Sequence, residues 1–203
     1  MTSASEFQTL SDSLFHWSAY DPGCKCELSS TAIRSNASLV VIDPIPLAEA
    51  AWKELLQLAP LRAILLTNGN HVRDADRLRQ KHQIPIVTAP LARRAVTELK
   101  PDVVLLEGEL LYGITPISVP GAASGETAFF FASGGVMAIG DAAINLSPEK
   151  GLELLPDKYC DDPEQNRASL RKLLNFDFRT LTFAHGTPVT SRAQEKWRAL
   201  LSP

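Results

Sequence analysis

Ala63-Ile64-Leu65-Leu66-Thr67-Asn68-Gly69-Asn70-His71-Val72-Arg73-Asp74-Ala75-Asp76 is the stretch on which the reading of the fold turns. It opens with four apolar residues, too short a run for a core helix, so Ala63–Leu66 reads as a buried strand. A polar loop containing Gly69 follows, and from about Arg73 to Lys81 the pattern becomes helical. The unit is therefore strand, short polar loop and helix, with an imidazole and carboxylates in and beside the loop.

Outward from this unit the same grammar repeats. Leu39-Val40-Val41-Ile42, Val103-Val104-Leu105-Leu106, Phe129-Phe130-Phe131 and Val136-Met137-Ala138-Ile139 are further short apolar runs that predict buried strands. Leu47, Ala51, Leu55 and Leu58 recur at helical spacing and predict a helix from Pro46 to about Leu58, with proline in its first turn. Asp162-Pro163-Glu164-Gln165 has the form of a helix start, with Asp162 as cap. Ser191 with Gln194 predicts a capping box before a terminal helix carrying Trp197, Leu200 and Leu201. Gly134-Gly135 between two apolar runs predicts a hairpin turn with positive φ at both glycines. Periodicity alone gives an α/β or α+β sandwich with mixed sheets, in one domain spanning residues 1–203.

Composition narrows the function classes. Apolar residues make up 45% and charged residues 21%, as in an ordinary globular domain. A net charge of -3 supplies no basic field for nucleic acid. The first residues lack the basic and apolar regions of a signal peptide, and no stretch approaches ~18 uninterrupted apolar residues. The expectation is a cytoplasmic protein without membrane association. Cys24, Cys26 and Cys160, an odd number in a chain expected to be cytoplasmic, are expected as thiols, and Cys24-x-Cys26 lacks the usual spacing of zinc ligands.

The quoted stretch resembles the strand and metal loop of the metallo-β-lactamase superfamily, whose pattern is Thr-His-x-His-x-Asp-His. Other landmarks follow in the family's order. Leu39-Val40-Val41-Ile42-Asp43-Pro44 is similar to its early strand ending in Asp-Pro, and Ile84-Pro85-Ile86-Val87 to the strand after the metal-loop helix. Pro120-Gly121-Ala122-Ala123-Ser124-Gly125-Glu126 resembles the Pro-Gly-His-Thr-x-Gly loop. Gly140-Asp141 matches the strand end in Gly-Asp, and His185-Gly186 the final His-Gly. The resemblance covers roughly residues 27 to 190 and implies a four-layer αββα sandwich, two mixed sheets face to face with helices outside.

Carried across position by position, the family's first-loop ligands fall on Asn68, Asn70, Val72 and Arg73, and the second-loop histidine on Ala122. Only Asp141 and His185 keep ligand chemistry. Neutral amides bind zinc weakly, valine cannot coordinate, and arginine brings a permanent positive charge. These seven positions are expected to form a vestigial metal site holding no metal, with Arg73 pairing with Asp141 in place of the lost cations. His71 and Asp74 are expected to point elsewhere. The alternative is a single zinc, iron or manganese ion.

The function implied is that of a catalytically silent relative that binds a small molecule or a protein partner through the old cleft. The alternative is a hydrolase of an ester, thioester, amide or phosphodiester, with or without one metal, using Asp141 and His185. A homodimer is the commonest symmetric assembly for such a domain. Arg73, Arg77, Arg79, Lys81, Arg93 and Arg94 are candidates for a basic patch beside the cleft, although a solvated helix face explains them as well. Ser124 does not sit in a nucleophile elbow, and no phosphate-binding glycine loop is present. His16-Trp17 and His82 read as surface or packing residues.

Overall fold

The computed structural model describes residues 1–202 apart from 91, 93–99, 123–124 and 148. Seven strands form the first sheet in chain order: β1 (Gln8–Ser11), β2 (Leu14–Asp21), β3 (Cys26–Ser35), β4 (Ser38–Ile42), β5 (Leu61–Leu66), β6 (Ile86–Thr88) and β7 (Val103–Val104). The pairings from β1 to β4 are antiparallel and those from β4 to β7 parallel. The second sheet contains β8 (Ile114–Ser118), β9 (Thr127–Phe131), β10 (Val136–Ile139) and β13 (Thr180–Phe183), in the order β13-β10-β9-β8. Its β10–β13 pair is parallel and the others antiparallel. A separate hairpin joins β11 (Ala143–Ser147) to β12 (Gly151–Leu154). Among the described residues four α-helices flank the sheets: α1 (Glu49–Leu58), α2 (Ala75–His82), α3 (Pro163–Lys172) and α4 (Ala193–Leu200).

The apolar runs are continuous because both faces of each sheet are covered. Val40, Ile42, Ala63, Leu65 and Val87 meet Ile114, Phe129, Phe131, Val136 and Ala138 in the middle layer. The alternate residues Val41, Ile64, Leu66 and Ile86 face outward onto Trp52, Leu55 and Leu78 of α1 and α2. On the other side Met137, Ile139, Leu181 and Phe183 pack against Leu170 and Trp197 of α3 and α4. Side chains alternate along a strand, so a run with no polar positions is what a strand between two apolar layers requires. This is the expected four-layer αββα order.

Several local expectations change. Helix α1 starts at Glu49 rather than Pro46, because the Pro46 carbonyl accepts a bond from Ala4 N and Leu47 bridges to Ala4. Strand β7 ends at Val104, and Leu106 beyond it is exposed. In the β9–β10 turn only Gly135 has positive φ, at 60°, closing a 3.1 Å bond to the Ala132 carbonyl. Asp162 caps α3 as expected, accepting from Gln165 N at 3.0 Å. The box predicted for α4 does not form: Arg192 precedes the helix at φ 50°, and Gln194 donates instead to the Phe176 carbonyl. Among the described residues, no helix is long and apolar enough to cross a membrane.

Candidate functional site

Three loops leave the carboxyl ends of β5, β10 and β13 and meet between the sheets. They carry His71, Asp141 and His185 respectively. Among the described residues this is the one group of three metal-ligating side chains whose donor atoms lie within 4.8 Å of one another. His71 Nε2 and His185 Nε2 each stand 3.1 Å from the same oxygen, Asp141 Oδ1. The rings are 5.6 Å apart between centroids.

Each imidazole is oriented from behind. Thr67 Oγ1 donates to Asp43 Oδ2 at 2.6 Å, so the acceptors left to His71 Nδ1 are that hydroxyl oxygen at 2.8 Å and Asp43 Oδ2 at 3.1 Å. Nδ1 therefore carries its proton. His185 Nδ1 faces the Glu27 carbonyl at 3.2 Å, which only accepts, so it too is protonated. With Nδ1 committed in both rings, Nε2 is the atom left to face Asp141 Oδ1: as N–H it donates to that oxygen, and only once that proton is lost does it present a lone pair.

Asp43 and Glu126, on either side, are buried carboxylates that the sequence analysis did not place in a site. Asp43 fixes the loop after β5, accepting from Thr67 N at 2.9 Å as well as from the Thr67 hydroxyl. Glu126 grips the loop after β10: Oε1 accepts from Gly140 N at 2.8 Å and from Ala142 N at 3.4 Å, and Oε2 accepts from Asp141 N at 3.2 Å. Position 140 must be glycine, since a Cβ there would collide with Thr67 Oγ1 and lie 2.7 Å from both Glu126 carboxylate oxygens. Gly186, at φ 94°, likewise abuts the Asn145 backbone.

Asn68 links the two carboxylates. Its Nδ2 donates to Glu126 Oε2 at 2.8 Å and to Asp141 Oδ2 at 3.0 Å, while Oδ1 accepts from Asn70 N at 2.9 Å.

The electrostatics follow from this crowding. Burial opposes charge on His71, but Asp141 and Asp43 outweigh it and raise the imidazole to about 9. Burial would raise Asp141, yet His71 and His185 hold it well below the usual carboxylate range. Glu126 is pushed up to about 8 by burial and by the neighbouring Asp141 charge, against the Asn68 amide. Burial, with Cys24 alongside, pushes the Cys26 thiol up to about 12.

A sequence profile of the metallo-beta-lactamase superfamily matches residues 9–200. The chain belongs to the metallo-β-lactamase superfamily. No curated protein matches it. Its fold is similar to the metallo-β-lactamase of Erythrobacter litoralis, solved with β-mercaptoethanol in the active site, at 15% identity, TM-score 0.76 and coverage of 96% of this chain and 95% of that one. The Hirschia baltica metallo-β-lactamase gives 16% identity and TM-score 0.72, covering 98% and 99%. That of Pontibacter korlensis gives 14% and 0.74, covering 97% and 98%.

Within this superfamily fold the positions singled out from sequence take different places. Asp141, His185 and Asn68 are in the cluster. Asn70 is exposed, Val72 packs against the core beneath α1 and α2, and Ala122 is buried in the core on the α3–α4 side. Two expectations are corrected. His71 points into the cluster rather than away, because Asp43 and Thr67 hold its Nδ1. Arg73 forms no ion pair with Asp141: Nη1 donates to the carbonyls of Ser29 at 2.7 Å and Asp43 at 3.2 Å, and Nη2 to that of Ala184 at 3.1 Å. Its guanidinium bonds carbonyls within β3 and just beyond β4 and β13, and so ties the two sheets together.

The basic patch is largely neutralised. Arg77 pairs with Asp74, Arg79 with Asp76, and Lys81 with Glu49. Arg93, Arg94 and Ser124 lie outside the described residues. His16 and Trp17 are buried packing residues, with Trp17 Nε1 donating to the Ile45 carbonyl at 3.2 Å. His82 packs beside Trp52.

Proposed function

We propose that the protein holds one divalent metal ion, zinc, iron or manganese, between His71, Asp141 and His185, and acts as a mononuclear hydrolase of its superfamily. The observation that carries this reading is the convergence of two Nε2 atoms, each 3.1 Å from Asp141 Oδ1, on rings whose Nδ1 atoms are already committed to acceptors. Two histidines and a carboxylate are a sufficient ligand set for a catalytic zinc or non-haem iron with a position open. A carboxylate or carbonyl behind each ligating imidazole is the usual outer support. A bound ion would supply a Lewis acid and a water of lowered pKa.

The chain's own residues keep that geometry. Asp43 and Thr67 orient His71, the Glu27 carbonyl orients His185, and Asn68 fixes the second oxygen of Asp141. A dinuclear centre does not fit, because Asn68 turns its amide nitrogen toward the carboxylates, Asn70 offers only a weak neutral amide on an exposed side chain, and Val72, Arg73 and Ala122 offer no donor. We read those five positions as the vestige of a two-metal site. The substrate classes are those the superfamily implies: ester, thioester, amide or phosphodiester.

Metal analysis of protein purified without chelator, before and after incubation with each ion, tests the proposal. About one tightly held ion per chain is expected, with hydrolysis of a thioester or phosphodiester panel by the loaded protein. Near-zero metal after incubation overturns it. The second reading, a silent protein that binds a small molecule or protein partner, is favoured by the Asn68 amide, which already satisfies Asp141 without a cation.

A further inference from the structure

We propose that Cys24 and Cys26 form a redox-active dithiol that undergoes thiol–disulfide exchange with small disulfide compounds at the rim of the candidate site. Cys24-Lys25-Cys26 closes the β2–β3 hairpin, whose last ladder pair is Asp21 with Cys26. Residues two apart in an extended strand point the same way, yet their Cα atoms sit near the outer limit a disulfide spans. Here Lys25 takes φ 56° and breaks the extension, while the Asp21 carboxylate accepts from Gly23 N at 2.6 Å and pins the turn. The two Sγ atoms stand 2.8 Å apart, as free thiols. Cys160 is separate, its contacts being with Leu155, Pro156 and Asn166.

The two thiols differ in access, and access sets their order. Cys24 is exposed, whereas Cys26 is half-buried with its Sγ 3.5 Å from His185 Nδ1. Attack by the reachable sulfur comes first. The Cys24 thiolate displaces one thiolate from a disulfide R–S–S–R and leaves a mixed disulfide on Cys24. The Cys26 thiol then gives its proton to water and displaces the second thiolate, closing Cys24–Cys26. The chain loses two protons and two electrons, and the disulfide compound, taking up both, leaves as two thiols. The dithiol does not depend on a metal at the neighbouring cluster.

Oxidised glutathione is the probe, added to the full chain. Three titratable thiols should fall to one, and the intact mass should drop by two hydrogens. Trypsin cuts after Lys25, between the cysteines, so the flanking peptides should stay joined until a reductant is added. Cys26→Ser should stall with glutathione on Cys24, Cys24→Ser should react ~10-fold more slowly or less, and Cys160→Ser should behave as the parent. Three thiols persisting in the parent chain overturns the proposal. So does a lasting glutathione adduct on the parent, or linkage between chains instead of within one. The thiol count and peptide map of the parent decide the matter even if a variant fails to fold.

Discussion

The loop after β5 and the loops after β10 and β13 reach the same point by different means. On the second sheet, Asp141 and His185 are the two residues that the motif resemblance singles out as keeping ligand chemistry, and both enter the cluster. On the first, the four positions that the resemblance assigns carry Asn68, Asn70, Val72 and Arg73, and it is His71, lying between two of them, that takes a place in the cluster. What decides the difference is support from behind. Asp43, at the end of the neighbouring β4, accepts from Thr67 and His71 together, so the loop is built to hold this imidazole in the cluster.

The comparison breaks first at His71. His71→Ala is expected to weaken binding of zinc by more than ~100-fold, since even an outer partner of a ligating histidine is worth ~10–100-fold. Asn70→Ala, an exposed neighbour in the same loop, should leave affinity unchanged. Competition titration with a chromophoric chelator reads both, and equal effects would show that His71 has no special place.

Arg73 tests the opposite role in the same loop, tying rather than ligating. It joins Ser29 on the first sheet to Ala184 beyond β13. Two of its three carbonyls keep another donor, Ala184 from Ser29 N and Asp43 from the Ser30 hydroxyl, which limits the loss. Arg73→Met should therefore cost ~3 kcal/mol in urea unfolding rather than the full desolvation of three groups. Arg73→Lys should recover only part, because a single ammonium does not reproduce the planar fork. An unchanged midpoint would remove Arg73 from the frame of the site.

The fold was legible because its central strands are apolar on both faces and its landmarks occur in order. The N-terminal strands β1 to β3 were not, since β2 and β3 bury polar residues that hydrophobic patterning counts as exposed. Ser29 and Ser30 are buried because their hydroxyls donate to the Gly186 and Asp43 carbonyls. In the site, Asp141 and His185 were readable from residue type at a motif position. His71 was passed over because a position-by-position transfer assigns direction from the relatives' side chains. Here Arg73 at φ 42° and the Asp43 carboxylate set direction instead. Glu126 ends the Pro120–Glu126 motif, and its one visible signal in the sequence is a lone acid just before the apolar run Ala128-Phe129-Phe130-Phe131.

His16 sharpens the lesson about support. Like His71 it is a buried imidazole, but among the described residues no carboxylate pairs with it and its Nε2 has no hydrogen-bond partner. Burial lowers it to about 4, where the carboxylates raise His71. The unfolded chain, titrating near 6.5, then binds the extra proton between those values, so the His16 contribution to stability is intact above pH 6.5 and is lost as the pH drops toward 4. The loss should be ~2–3 kcal/mol, read from urea midpoints at pH 7 and pH 4, and His16→Phe should remove that part of the slope. An unchanged slope in the variant would place the acid sensitivity elsewhere.

The smallest effect contrasts two helix starts that look alike in sequence. Asp162 and Ser191 each precede a residue at the third helical position that suits a capping box. Asp162 bonds Gln165 N, while Arg192 at φ 50° turns the chain so that Ser191 never reaches α4, and Gln194 is drawn to the Phe176 carbonyl. A cap is worth about 1 kcal/mol where its bond forms and nothing where it does not. Asp162→Ala should therefore lower stability by about 1 kcal/mol, and Ser191→Ala should change it by less than ~0.5 kcal/mol. Gln194→Ala should cost more than Ser191→Ala, since it leaves the Phe176 carbonyl without that donor. The reverse ranking would mean that the local pattern, rather than the packing of α4 against the second sheet, fixes where the last helix begins.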